Sequence, residues 1–157
     1  MKGRLIASRL GSIAVVEREG AIVHLDFAEH LPEGCADSDS PLLDDARLQL
    51  EQYFSRERTI FELPIRLGGT PFQQRVWQAL LTIPYGQTRT YGEIAALAGN
   101  PKASRAVGSA NHNNPVSLVV PCHRVIGAGG KMVGYGGGVW RKEALLKLER
   151  DNLVNTR

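Results

Sequence analysis

The sequence predicts an α/β N-terminal domain followed by a mostly α C-terminal domain that contains a helix-turn-helix. Three observations carry this reading. Short β-branched runs broken by glycines fill the first 27 residues. Two capping signals and a Gly-Asn-Pro turn mark successive short helices further along. Charge also divides. Residues 1–67 hold 8 Lys/Arg and 12 Asp/Glu, net −4, whereas residues 68–157 hold 11 and 4, net +7. An asymmetry of this kind suggests a polyanionic partner for the C-terminal half alone.

The N-terminal strands are expected at Arg4–Ala7, Ile13–Glu17 and Ala21–Phe27, with Gly11 and Gly20 at the breaks of an antiparallel meander. Residues 28–40 are polar and read as a loop. Leu42, Leu43, Ala46, Leu50 and Phe54 recur at helical spacing, so 41–54 is an amphipathic helix. Phe61–Leu67 is extended, and Pro64 confines it to an edge. Gly68-Gly69 is the linker, which puts the domains at 1–67 and 68–157.

Thr70-Pro71-Phe72-Gln73 starts the next helix. Thr70 caps, Pro71 suits the first helical position and Gln73 completes a capping box. Val76, Ala79, Leu80 and Ile83 form its apolar face. Thr90-Tyr91-Gly92-Glu93 is a second capping box, for a short helix ending at Ala98 with Gly99 as its C-terminal cap. Asn100 caps the following helix, with Pro101 at its first position. Ala103, Ala106, Val107 and Ala110 share its buried stripe, so Ser104, Arg105, Gly108, Ser109 and His112 face outward. Val116–Val120 reads as a buried strand. Seven of the twelve residues Gly127–Gly138 are glycine, which makes a loop that bends sharply or lets something approach its backbone. Val139–Leu153 closes the chain as a helix.

Composition is that of an ordinary globular chain, 43% hydrophobic and 22% charged. No apolar stretch reaches membrane-spanning length, and the N-terminal apolar runs are too short for a signal-peptide core. The expected location is cytoplasmic. Cys35 and Cys122 are too few for a disulfide framework, and neither belongs to a CxxC pair. His24, His30 and Cys35 form no recognisable ligand spacing. No metal and no cofactor is expected.

Cys122 is the candidate nucleophile. Pro121 fixes the backbone angle at which the chain leaves the preceding run, and His123 and Arg124 bring a base and a permanent cation beside the thiol. Either cation favours a thiolate. Cys35 lies in the acidic run Glu33-Gly34-Cys35-Ala36-Asp37, which disfavours one. Glu149 follows Leu145 by four and Leu146 by three, so it shares their apolar face. A carboxylate there needs a partner if buried, and a histidine is a fitting one.

Pro121-Cys122-His123-Arg124-Val125-Ile126-Gly127 closely resembles the active-site signature of the O6-alkylguanine-DNA alkyltransferases, the methylated-DNA–protein-cysteine methyltransferases. The resemblance extends to Gly69–Gln73, Ile83–Gly86, Thr90–Gly92, Ala103–Gly108, Asn114-Pro115, Gly134–Gly138 and Arg141–Glu143, and so covers 68–150. The N-terminal half matches in general character only.

The resemblance implies an RNase H-like N-terminal domain and a catalytic winged helix-turn-helix domain. It implies transfer of an alkyl group from O6 of a flipped guanine in double-stranded DNA, approached from the minor groove, to the protein's own cysteine. Secondary activity on O4-alkylthymine goes with it. So does a protein monomeric in solution that assembles cooperatively on DNA, with no membrane partner.

Carried over by position, Cys122 is the acceptor, His123 the base acting on the thiol through a water, and Glu149 the group that orients His123. Asn114 braces backbone near the cysteine. Arg105 resembles a finger that replaces the flipped base, and Tyr91 a donor to the guanine. Val125, Tyr135 and Gly136 contribute contacts to the base, Gly136 necessarily through backbone. Ser104 and Arg124 complete the substrate- and DNA-binding set.

A thioether leaves poorly and no second thiol is near in sequence, so each molecule should act once. Three alternatives stand beside this reading. An alkyltransferase-like damage sensor lacks a cysteine at this position. A helix-turn-helix regulator would bind a specific DNA sequence and form no covalent product. A Cys-His hydrolase would need an oxyanion hole and turnover.

Overall fold

The computed structural model describes residues 1–155 and divides into two compact units, Met1–Leu67 with Pro115–Val119, and Gly68–Asn114 with Val120–Arg157. In the first unit β1 (Lys2–Ile6), β2 (Ile13–Arg18) and β3 (Ala21–Phe27) form the antiparallel meander. A two-residue strand β4 (Ala36–Asp37) adds to β1 in parallel, giving the order β3-β2-β1-β4. It falls within the stretch read as a loop. Both its residues are exposed, so it carries no alternating pattern to reveal it. Ile13, Ala14, Val15 and Val16 are consecutively buried, as in a strand covered on both faces.

Helix α1 (Pro41–Phe54) spans the predicted residues. Ser40 Oγ accepts from the Leu43 N–H at 3.0 Å, and Leu43, Ala46, Leu50 and Tyr53 are buried. The stretch 61–67 is reduced to a parallel bridge between Ile22 and Ile65. The run 116–120 is not a strand. Val116 bridges Leu25, and the chain then turns through Leu118 at φ 72° with the Val119 N–H donating to Ser117 O at 2.9 Å. A positive φ at a buried leucine is a strained conformation held by its surroundings.

The second unit opens with α2 (Pro71–Leu81), whose Thr70–Gln73 capping box is complete. The buried Trp77 ties α2 to the later helices by donating from Nε1 to Ala110 O at 2.9 Å. Strand β5 (Arg89–Thr90) leads into α3 (Tyr91–Leu97), whose Thr90–Glu93 capping box is also complete. At its end the Gly99 N–H donates to Ala96 O at 3.1 Å and the Asn100 N–H to Ala95 O at 3.0 Å, with Gly99 at φ 92°. This is a Schellman cap, which needs glycine at the left-handed position.

Helix α4 (Ser104–His112) packs on α2 and α3. Its N-cap is Ala103 rather than Asn100. The Asn100 side chain accepts from the Lys102 N–H at 3.2 Å and closes a turn before the helix starts. The buried stripe also differs from the expected one. Ala106 is exposed, and Val107, Ala110 and Asn111 are the buried residues. After a single 3-10 turn at Cys122–Arg124, β6 (Val125–Ile126) pairs in parallel with β5, and α5 (Val139–Asn155) closes the unit. No helix among the described residues is long and apolar enough to cross a membrane.

Candidate active site

The backbone around Cys122 is set by its neighbours. Pro121 has φ −80° and ψ 66°, and the Cys122 N–H donates to Val120 O at 2.8 Å, an inverse γ-turn that aims the following 3-10 turn. Two asparagines, Asn111 in the last turn of α4 and Asn114 just beyond it, fix the carbonyls on either side. Asn114 Nδ2 donates to Val120 O at 2.8 Å, and Asn111 Nδ2 to Cys122 O at 3.2 Å. Pairing of Arg89 with Val125 and Thr90 with Ile126 joins the same segment to the start of α3. The thiol is thus held by the helix-turn-helix itself.

Behind Cys122 lies a buried charge cluster. His123 and Glu149 are both 0% exposed, and His123 Nε2 lies 2.7 Å from Glu149 Oε2. Arg124 donates from Nε to Glu149 Oε1 at 2.9 Å, from Nη2 to Oε2 at 3.0 Å, and from Nη1 to Ile83 O at 2.8 Å. Burial alone would raise the Glu149 carboxyl, but His123 and the Arg124 fork outweigh it and hold the group well below the usual carboxylate range. The imidazole is lowered by burial. Glu149 opposes that shift, and Arg124 and Lys142 reinforce it.

An ionised carboxylate only accepts hydrogen bonds, so Nε2 carries the ring proton and Nδ1 carries the lone pair. Nδ1 is buried and meets no hydrogen-bonding partner among the described residues. The cluster therefore fixes one neutral tautomer with a proton acceptor one residue from the thiol.

Gly86 lets α5 bring Glu149 in. It sits at φ 78°, a Cβ there would collide with the Leu153 side chain, and its N–H donates to Glu149 Oε1 at 3.1 Å. Gly86→Ala is expected to cost about 1–3 kcal/mol. A urea midpoint equal to that of the unsubstituted protein would contradict this.

A cleft of about 170 Å³ is lined by Tyr91, Gly108, Asn111, His112, Val133, Gly134, Tyr135 and Gly136. Drug-sized ligands fill about 300–1,000 Å³, so this space suits a single flat base. Cys122 is 4% exposed and does not itself line the cleft, but Asn111 does and holds its carbonyl. The Tyr91 hydroxyl donates to Val133 O at 3.2 Å. Burial first, and then the charge of Cys122, raise its pKa, so it stays a donor at neutral pH.

Lys142 is 0% exposed. Its Nζ donates to Val133 O at 2.9 Å and lies 5.8 Å from the Tyr91 ring centroid. Burial lowers it to about 8, against the pull of Cys122. A larger groove of about 420 Å³ at Gln74, Arg75, Gln78, Ala79, Thr82 and Leu97 is lined by no cysteine, histidine or carboxylate.

Of the residues singled out from the sequence, the structure gathers Cys122, His123, Glu149 and Asn114 into one framework, with Tyr91, Tyr135 and Gly136 at the cleft. Ser104 and Arg105 are exposed on the first turn of α4. The Val125 side chain is fully buried, which leaves only its backbone for a base. Arg124 must be reassigned. Its guanidinium is spent on Glu149 and Ile83 O, and the residue is 7% exposed, so it braces the carboxylate and does not reach a duplex. Ala110, placed on the buried stripe, is 1% exposed, and its carbonyl accepts from Trp77 Nε1. Two residues were missed. Lys142 precedes Leu145, Leu146 and Glu149 by three, four and seven, a spacing that places it on their stripe. Asn111 follows Val107 by four.

Residues 71–151 match the family described as 6-O-methylguanine DNA methyltransferase, DNA binding domain, and residues 1–67 match its ribonuclease-like domain. The chain belongs to the 6-O-methylguanine DNA methyltransferase family. The methylated-DNA–protein-cysteine methyltransferase of Mycobacterium tuberculosis is 49% identical over 150 residues, covering 94% of this chain and 91% of the relative. That of Methanosarcina barkeri is 46% identical over 154 residues, covering 95% and 97%. The crystal structure of Mycobacterium tuberculosis OGT in complex with DNA superposes with a TM-score of 0.91 at 48% identity, covering 97% of this chain and 94% of that one.

A Methanococcus jannaschii O6-methylguanine DNA methyltransferase shares the fold, with a TM-score of 0.70 at 24% identity. The architecture is therefore a ribonuclease-like α/β domain followed by a helical DNA-binding domain. The family's activity is DNA repair by stoichiometric transfer of a methyl group from DNA to a protein cysteine, and DNA is the partner of this methyltransferase.

Proposed function

We propose that Cys122 accepts the alkyl group from O6 of a guanine extruded from duplex DNA, once per molecule. The observation that carries this is the buried His123–Glu149–Arg124 cluster, which leaves a proton-accepting Nδ1 one residue from a thiol whose carbonyl is held by Asn111, a residue of the base-sized cleft. His123 takes the thiol proton through a water. The thiolate forms the S–C bond as the C–O6 bond breaks, and the electron pair passes to the guanine. The Tyr91 hydroxyl stabilises that developing charge as a hydrogen-bond donor. Asn114 holds the turn still, and the backbone of Val125, Tyr135 and Gly136 frames the base. No group near Cys122 regenerates the thiol, so the thioether is final.

A base inside a stacked duplex cannot meet a thiol that is 4% exposed, so the nucleotide is rotated out. Arg105, exposed on α4, fills the space it leaves, and Ser104 contacts the backbone from the minor-groove side. O4-alkylthymine is a secondary substrate of the same cleft. The protein acts in the cytoplasm and is a monomer until it assembles along DNA. Arg105→Ala is expected to slow repair of duplex DNA at least tenfold while leaving reaction with free O6-alkylguanine unchanged. Equal slowing on both substrates would remove Arg105 from extrusion. Affinity should fall linearly on a log–log plot against salt.

A further inference from the structure

We infer that Lys142 is a positioning residue of the transfer reaction: its ammonium holds the backbone of the glycine-rich loop as a wall of the base-sized cleft, and keeps holding it when Tyr91 turns from the loop to the extruded base. This rests on the function proposed above. Lys142 is 0% exposed and shares the inward stripe of α5 with Leu145, Leu146 and Glu149. Its partners are not carboxylates. Nζ donates to Val133 O at 2.9 Å and to Gly134 O at 3.4 Å, and lies 5.8 Å from the Tyr91 ring centroid. A buried cation without a paired anion is costly, and burial lowers this one to about 8. Stability therefore gives no reason for a lysine here, whereas the cleft does.

Val133, Gly134, Tyr135 and Gly136 supply half of the residues that line the cleft. They belong to the stretch Gly127–Gly138, in which seven of twelve residues are glycine, so the chain itself does little to hold its shape. The start of α5 supplies the hold. Beside Lys142, Arg141 Nη1 donates to Gly137 O at 2.9 Å. Val133 O accepts two donors, one for each lone pair. The Lys142 bond has an ordinary length and carries a charge, which makes such bonds about twice as strong as neutral ones. The Tyr91 bond, at 3.2 Å, is longer than the roughly 2.5–3.0 Å usual between a hydroxyl and an oxygen. The tyrosine bond is therefore the one that gives. When Tyr91 donates to the guanine, Lys142 keeps Val133 and Gly134 where they were. One helix thus serves the reaction twice, with Glu149 orienting His123 and Lys142 fixing the cleft.

Single-turnover transfer to the full chain carrying Lys142→Met tests this. Its maximal rate is expected to fall at least about tenfold, on duplex O6-methylguanine and on free O6-methylguanine alike, because the wall is lost to both. The duplex concentration that gives half the maximal rate should stay within about twofold, since a buried side chain offers nothing to a phosphate. Alkylation of Cys122 by iodoacetamide, which needs no base cleft, should change by less than about threefold. Lys142→Gln, with circular dichroism as a check of fold, serves if the methionine variant does not fold. Full-rate transfer by a folded variant, slowing confined to the duplex, or a raised half-saturating concentration in place of a lowered rate would each overturn the assignment. So would iodoacetamide labelling that falls as far as transfer does, which would place the action of Lys142 on the thiol whose charge it feels. An unsubstituted protein that transfers nothing to Cys122 would sink the parent reading, and this one with it.

Discussion

Cys122→Ala abolishes alkyl transfer to the protein and leaves affinity for undamaged duplex DNA intact. Cys122 is 4% exposed and contributes no surface to a duplex, so removing its sulfur takes away the nucleophile and little else. The remaining thiol, Cys35, belongs to the first unit and hydrogen-bonds only weakly, to Ala36 O at 3.9 Å. It has no imidazole beside it in sequence and does not substitute. The stability cost is about 1 kcal/mol, from a small buried truncation. Transfer of label from methylated DNA to the protein, scored on a gel, reads the reaction. A labelled alanine variant would place the acceptor elsewhere.

Glu149→Gln damages stability and reactivity together. Removing the carboxylate leaves the Arg124 guanidinium buried without its counter-charge, which costs about 3–5 kcal/mol. It also removes the anion that keeps the His123 proton on Nε2, so the lone pair at Nδ1 is no longer assured. Loss of a positioned general base slows a reaction by about 10²–10⁴-fold. Urea unfolding and single-turnover transfer measure the two effects separately. A variant as stable as the parent would show that the cluster is no structural brace, and one that transfers at full rate would show that it takes no part in the thiol's activation.

The same groups give acid sensitivity a definite sign. The His123 pKa is lowered from 6.5 and that of Glu149 from 4.5, so in both cases the unfolded chain binds protons that the folded chain refuses. Their contribution is present above those ordinary values and is lost as pH falls through the folded ones. Stability should therefore decline steadily as pH drops below 6.5. Lys142, lowered from 10.5 to about 8, acts in the same direction in a separate window, with stability rising as pH goes from 8 to 10.5. Urea midpoints across both windows check this. A midpoint that rises on acidification below 6.5 would mean that His123 gains a proton on folding.

Much of this could be read from the residues because it is encoded locally. Both capping boxes, Pro71, and Gly99 as a Schellman glycine act within a turn of the helices they delimit, so α2 and α3 were legible. What failed was decided by tertiary context. Val116–Val120 has a strand's composition but turns at Leu118, because its pairing partner is the single residue Leu25. β4, β5 and β6 are two-residue strands with no period of their own. In the site, the sequence neighbours of Cys122 suggested a base, His123, and a permanent cation, Arg124, beside the thiol. The fold instead sends Arg124 inward to Glu149, 25 residues away along the chain. Asn111 was passed over because a polar residue on an apolar stripe resembles a solvated one until its neighbours are known.

The measurement that tests the central claim most directly is the intact mass of the protein after mixing with excess duplex DNA containing O6-methylguanine, followed by peptide mapping. The account predicts the added mass of one methylene, saturating at one per molecule and carried by the peptide that contains Cys122. An unchanged mass despite lesion binding, or the same addition found on any other residue, would contradict it.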